Sequence, residues 1–124
     1  FDLLPAQKRA KAEYVSPRMN QSLSEAIKAG VKVALGTDAP LIPHGQNAYE
    51  IVKMTERGMT PLQAIQSATI VAAELLRIDH LGQLKPGWHA DIVAVDTNPL
   101  EDIKAVQSVS FVMKAGEIVK GGPG

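Results

Sequence analysis

Asp38 and His44 are the residues of this sequence whose type and setting best suit chemistry. Asp38 ends Gly36-Thr37-Asp38, directly after the apolar run Val33-Ala34-Leu35. A carboxylate at such a point can bind a metal ion or take a proton from an attacking water. A second reading fits the same residue: a loop carboxylate that accepts hydrogen bonds from nearby backbone amides. His44 follows six residues later in Pro43-His44-Gly45, near enough for the two side chains to face one pocket. A neutral imidazole there can hold a substrate or ligate a metal, and it can equally be a solvent-exposed loop histidine. His80 and His89 make no metal-ligand spacing with each other or with His44, and read as structural or surface residues.

The elements that must position these residues follow from the Pro and Gly punctuation. Pro5 can open a helix, and Ala6 to Glu13 are mostly good helix formers. Ser16-Pro17 is expected to break that helix, and a second one with Leu23, Ala26 and Ile27 on one face is expected to stop at Gly30. Val33-Ala34-Leu35, lying between helices, has the pattern of a buried parallel strand, with Asp38 just beyond its C-terminal end. In parallel α/β folds that edge is where ligands and catalytic groups sit. A polar, Pro-rich loop runs from Thr37 to Gln46. Asn47 with Glu50 resembles a capping box for a helix bearing Ala48, Ile51, Val52 and Thr55 on one face and ending at Gly58. Thr60-Pro61-Leu62-Gln63 is a fuller start signal, and Leu62, Ile65, Thr69, Ala72 and Leu76 then recur as a core stripe at helical spacing. From Leu81 the texture turns to β: Asp91 to Val95, Val109 to Met113, then a turn at Ala115-Gly116 into Ile118-Val119. Trp88 is expected to pack over the Pro86-Gly87 turn, and the Gly-Gly-Pro-Gly tail at 121–124 is expected to be disordered.

Composition excludes several classes of function. The 124 residues suffice for about one domain with an ordinary core. Thirteen basic residues balance thirteen acidic ones, which argues against nucleic acid or an anionic membrane as partner. With no cysteine, disulfides and thiolate zinc sites are excluded. No apolar run approaches a membrane span, and no basic-then-apolar leader opens the chain, so the expected location is cytoplasmic.

Together these segments resemble a known family. Ala29 to Asp38 looks like the last barrel strand of the metal-dependent amidohydrolase superfamily. Gly58-Met59-Thr60-Pro61-Leu62-Gln63-Ala64-Ile65 with Ala68-Thr69 resembles the helix that follows the barrel. Gly82 to Val93 is similar to the return of the chain into the family's small β-sandwich, and Phe111 to Gly116 to its closing strands. The match runs from about Ser16 to Lys120, and the order of the four motifs makes it specific. The His44-Gly45-x-Asn47 loop and the Gly58 to Ile65 helix motif look most like the imidazolonepropionase-related and Xaa-Pro dipeptidase-like branch.

The resemblance implies an α/β fold: the last part of a TIM-type (β/α)8 barrel followed by part of a small β-sandwich. Residues 1–80 would supply the barrel elements and the following helix, and residues 81–120 the sandwich strands. It implies that Asp38 binds the metal and moves a proton to and from the attacking water, and that His44 lies near the substrate. The implied reaction is hydrolysis of amide or cyclic amide C–N bonds of small molecules, of the acyl amino acid or dipeptide class, with one or two divalent ions, zinc being expected. The family's His-x-His pair, bridging lysine and two later histidines have no counterpart here. A complete barrel needs about 250 residues. The chain is therefore expected to be a C-terminal fragment that binds no catalytic metal and is inactive alone, its partners being the N-terminal barrel segment or a second copy. A different class of function also fits: a non-catalytic α/β module for assembly or interaction.

Overall fold

The computed structural model describes residues 5–38 and 43–122. Part of the Thr37–Gln46 loop and the last two residues of the 121–124 tail lie outside the described residues. In chain order the structure comprises α1 (Ala6–Lys28), an irregular segment over 31–38, α2 (Tyr49–Glu56), α3 (Pro61–Ser67) and α4 (Ile70–Leu76). Three strands follow, β1 (Ile92–Val95), β2 (Val109–Lys114) and β3 (Glu117–Lys120), with a 3-10 helix (Ile103–Gln107) between the first two.

Helix α1 corrects the expected break at Ser16-Pro17: it runs unbroken through Pro17. Proline removes one N–H and leaves the carbonyl four residues back, on Glu13, without its helical partner. Glu13 is exposed and α1 buries no residue, so water can take that carbonyl, and helix formers on both sides carry the helix through.

The expected core stripe of Leu62 to Leu76 is also corrected. Thr69, with φ −123° and ψ −97°, interrupts the run and divides it into α3 and α4. The inward residues are the small ones, Ala64, Ser67 and Ala73, while Leu62 and Leu76 are 51% and 65% exposed. Small residues win the inner face because other segments of backbone approach closely there. The Leu35 N–H donates to the Ser67 carbonyl at 2.9 Å. Gly82, at φ +84°, sits so near Thr69 and Ile70 that a Cβ would lie 2.8 Å from their backbone atoms.

At the centre of the helical region Met54, Met59 and Ala64 are buried, with Leu23, Ile27, Val33, Leu35 and Ile51 packed around them. Val33 and Leu35 thus anchor the 31–38 segment against Met54 of α2, against Met59, and against Ala64 of α3. The expected parallel strand is absent: residues 31–38 belong to no ladder, and every strand pairing among the described residues is antiparallel. A strand is defined by a partner, and no neighbouring strand lies alongside this segment among the described residues.

The β region follows the sequence more closely. The sheet has the order β1-β2-β3, with Ile92 opposite Met113 and Lys114 opposite Glu117. Ala115 and Gly116 have φ of +51° and +86°, the pair of left-handed residues that a type I′ hairpin turn requires. Trp88 packs over its turn as expected, with Lys85 Nζ 4.8 Å from its ring centre and the His80 ring edge-on at 5.7 Å.

The accessible surface is 9076 Å². A compact monomer of 13.2 kDa would expose about 6,400 Å². The excess is apolar in part: Tyr14, Met19, Leu62, Leu75, Leu76 and Leu84 are all more than half exposed. No helix among the described residues is long and apolar enough to cross a membrane.

Candidate active site

Asp38 is exposed and follows Val33 and Leu35, which pack against the core. Its φ of +50° lies in the left-handed region, which a non-glycine residue enters at a cost, aspartate less than most. The carboxylate-bearing residue therefore has a left-handed backbone. His44 is exposed at the other end of the loop, in a turn before α2.

The expected capping box of Asn47 and Glu50 does not form. Ala48 stands at the N-terminal cap of α2, and no side chain caps it. The Asn47 carboxamide turns back along the loop instead. Its Oδ1 accepts the Gly45 N–H at 3.3 Å and its Nδ2 donates to Thr37 Oγ1 at 3.1 Å. Glu50 accepts from Arg57 Nη1 at 3.0 Å, and Arg57 Nε also donates to Asn20 Oδ1 of α1 at 3.1 Å, fixing α2 against α1. One carboxamide thus connects the residue before Asp38 to the residue after His44. The sequence reading placed Asn47 both in a capping box for α2 and in the His44-Gly45-x-Asn47 loop. Its presence in the His44-Gly45-x-Asn47 motif was the available signal that it belongs to the loop.

A recess of about 250 Å³ borders this loop, lined by Gly45, Gln46, Ala48, Tyr49 and Gln107. A larger recess of about 590 Å³ lies elsewhere, between α4 and the Trp88 turn, and includes His80, Arg77 and Asp79. Neither is lined by Asp38 or His44. His89 is exposed in the segment before β1.

Among the described residues no three His, Cys, Asp or Glu side chains cluster as a metal site. Asp38 is a hard oxygen donor that suits a divalent cation as one ligand, and a catalytic zinc takes three protein ligands. The rest of any such set would come from outside the described residues.

Residues 6–119 match the amidohydrolase family. This chain belongs to that family. Among its relatives, the ochratoxinase of Aspergillus niger is 43% identical over 118 residues, an alignment spanning 90% of this chain and 24% of the relative. The crystal structure of that ochratoxinase superposes over 98% of this chain with a TM-score of 0.81. A Xaa-Pro dipeptidase crystallised with methionine bound in its active site superposes over 95% of the chain and 29% of its own length, with 44% identity and a TM-score of 0.89. The amidohydrolase chain thus spans about a quarter of the length of the relatives it matches.

Proposed function

We propose that this chain is the C-terminal part of a metal-dependent hydrolase that cleaves amide or cyclic amide C–N bonds of small molecules, of the acyl amino acid or dipeptide class. The observation that carries the reading is Asp38: a carboxylate on a left-handed backbone, three residues after core-packed Leu35, in a chain of the amidohydrolase family. The substrate class rests on the relatives, an ochratoxinase and a Xaa-Pro dipeptidase. The exposed apolar side chains and the 9076 Å² of surface support a chain completed by a barrel segment outside it. By this reading residues 1–80 finish the barrel and residues 81–120 enter a small β-sandwich.

A bound divalent cation, zinc in this proposal, would supply Lewis acidity at the scissile carbonyl and ease ionisation of water. Asp38 would contribute one carboxylate oxygen to holding it. The same carboxylate accepts the proton of the attacking water and returns it to the leaving nitrogen, so that the C–N bond breaks as a C–O bond forms. His44, on the same loop, would contact the substrate. Asp38 alone cannot hold the ion, so the isolated chain should be inactive.

The test uses the full-length protein that contains this chain and a panel of N-acyl amino acids and Xaa-Pro dipeptides. Hydrolysis that is lost on chelation and restored by a divalent ion is the expected result. Metal-replete, folded protein that hydrolyses no member of the panel would overturn the substrate class and favour the assembly-module reading. Hydrolysis indifferent to chelation would overturn the metal dependence.

A further inference from the structure

We propose that Asn47 is a positioning residue for Asp38, acting through the hydroxyl of Thr37. The proposal rests on the reading of Asp38 as the proton-transfer group. The carboxamide of Asn47 uses both of its ends: Oδ1 receives the Gly45 N–H, and Nδ2 reaches Thr37 Oγ1. Its orientation is dictated by chemistry. The Gly45 N–H can only donate, so the oxygen must face it and the NH2 group must face the hydroxyl. A hydroxyl accepts from that NH2 group readily, and no other side-chain bond among the described residues involves Thr37.

Thr37 is the residue immediately before Asp38, whose backbone lies at φ +50°. A non-glycine residue stays in that region only where its surroundings hold it. Leu35 is fixed by its N–H bond to Ser67 and by the core, and Thr37 is fixed by Asn47. On its N-terminal side Asp38 is thus one residue from a fixed point. Without Asn47 the nearest fixed point on that side is Leu35, three residues away. Asn47 is exposed and Thr37 is half-buried, so the bond between them contributes little to the stability of the whole. Its consequence is in the aim of the carboxylate, where a displacement near 1 Å can cost about 100-fold in rate.

The experiment compares four variants of the full-length, metal-loaded protein with wild type, on the fastest substrate of the same N-acyl amino acid and Xaa-Pro dipeptide panel. Asn47→Ala and Thr37→Val should each lower kcat by about 10- to 100-fold. KM should rise by no more than about threefold, and Tm should move by no more than ~3 °C. Thr37→Ser, which keeps the hydroxyl, should recover most of the kcat that Thr37→Val loses. The double variant Asn47→Ala, Thr37→Val should be no slower than the worse single variant, because both break one interaction. An Asn47→Ala protein with wild-type kcat, or a Thr37→Ser protein as slow as Thr37→Val, overturns the positioning role. Asp38→Asn measured alongside separates the two claims. A dead Asp38→Asn beside a fully active Asn47→Ala overturns the positioning role alone, and an active Asp38→Asn overturns the assignment of Asp38 and the positioning role with it.

Discussion

The helical region and the β region satisfy their backbones in different ways. Strands β1 to β3 pair with one another through two antiparallel ladders, the Ala115-Gly116 turn closes the hairpin, and the Gly116 N–H donates to the Ala90 carbonyl at 3.1 Å. Asp91 adds a side-chain lock, accepting from Lys114 Nζ and, at 2.8 Å, from the Ala115 N–H. In the helical region the segment that carries Asp38 has the strand-like apolar run but no strand beside it among the described residues, and scattered bonds tie it to separate elements: the Val31 N–H to the Ala26 carbonyl of α1, Lys32 Nζ to Glu74 of α4, the Leu35 N–H to the Ser67 carbonyl of α3, and the Asn47 carboxamide to Thr37 Oγ1. The difference teaches where this chain is self-sufficient. Local hairpin pairings are made within one stretch of chain, while the segment nearest the proposed chemistry is held by the packing of Val33 and Leu35 and by single bonds to separate elements.

The joint between the two regions should be the most sensitive point. Gly82→Ala would put a Cβ 2.8 Å from the backbone of Thr69 and Ile70 at a φ of +84°. The left-handed backbone alone costs about 1–3 kcal/mol in a non-glycine residue, and the clash adds to it. The expected outcome is a large fall in Tm by thermal denaturation. A Tm within 2 °C of wild type would mean that the β region is not seated on the α3–α4 break.

Thr60→Ala should be intermediate. It removes the hydroxyl that receives the Gln63 N–H at 3.2 Å, half of a capping box whose other half is the Gln63 side chain on the Thr60 N–H at 2.8 Å. The expected loss is about 1 kcal/mol by denaturant titration. An unchanged midpoint would show that packing, and not the cap, sets the start of α3.

Asp91→Asn should have the smallest effect, and a distinctive pH dependence. Hydrogen bonds from Lys114 and from the Ala115 amide, with the charges of Lys114 and His89, hold the Asp91 carboxyl below the usual carboxylate range. The stability it contributes is therefore present above about pH 4, the unfolded value, and is lost as pH falls through the lower folded value. The Tm of wild type should exceed that of Asp91→Asn near neutrality, and the gap should close in acid. A gap constant with pH would assign the effect to the shape of the turn instead of to its charge.

Much of the β region was legible in the sequence because its determinants are local. Ala115-Gly116 supplies the two left-handed residues its turn needs, and the apolar runs beside it pair within the same stretch of chain. The Thr60 box was legible for the same reason, since both partners lie within one helical turn. Pro17 was misread because an exposed helix can give the freed carbonyl to water. The Leu62 to Leu76 stripe was misread because close approach of the 31–38 segment and of Gly82 selects Ala64, Ser67 and Ala73 for the inner face, a tertiary demand that helical spacing does not record. At the candidate site, Asp38 and His44 are proposed from residue type, position and resemblance. The role of Asn47 could not be read in that way, because an asparagine before a helix serves a cap or a loop equally well, and only the positions of Thr37 and Gly45 decide between them.

The most direct test of the account is turnover of the full-length, metal-loaded protein with Asp38→Asn. Asparagine keeps the size and the backbone tolerance of aspartate but cannot accept the proton of the attacking water. Loss of general acid–base help costs roughly 10²–10⁴-fold in rate. The account predicts a fall of that order in kcat, little change in Tm and a smaller change in KM, with metal content followed by elemental analysis. A variant that binds metal fully and turns over substrate at close to the wild-type rate would contradict it.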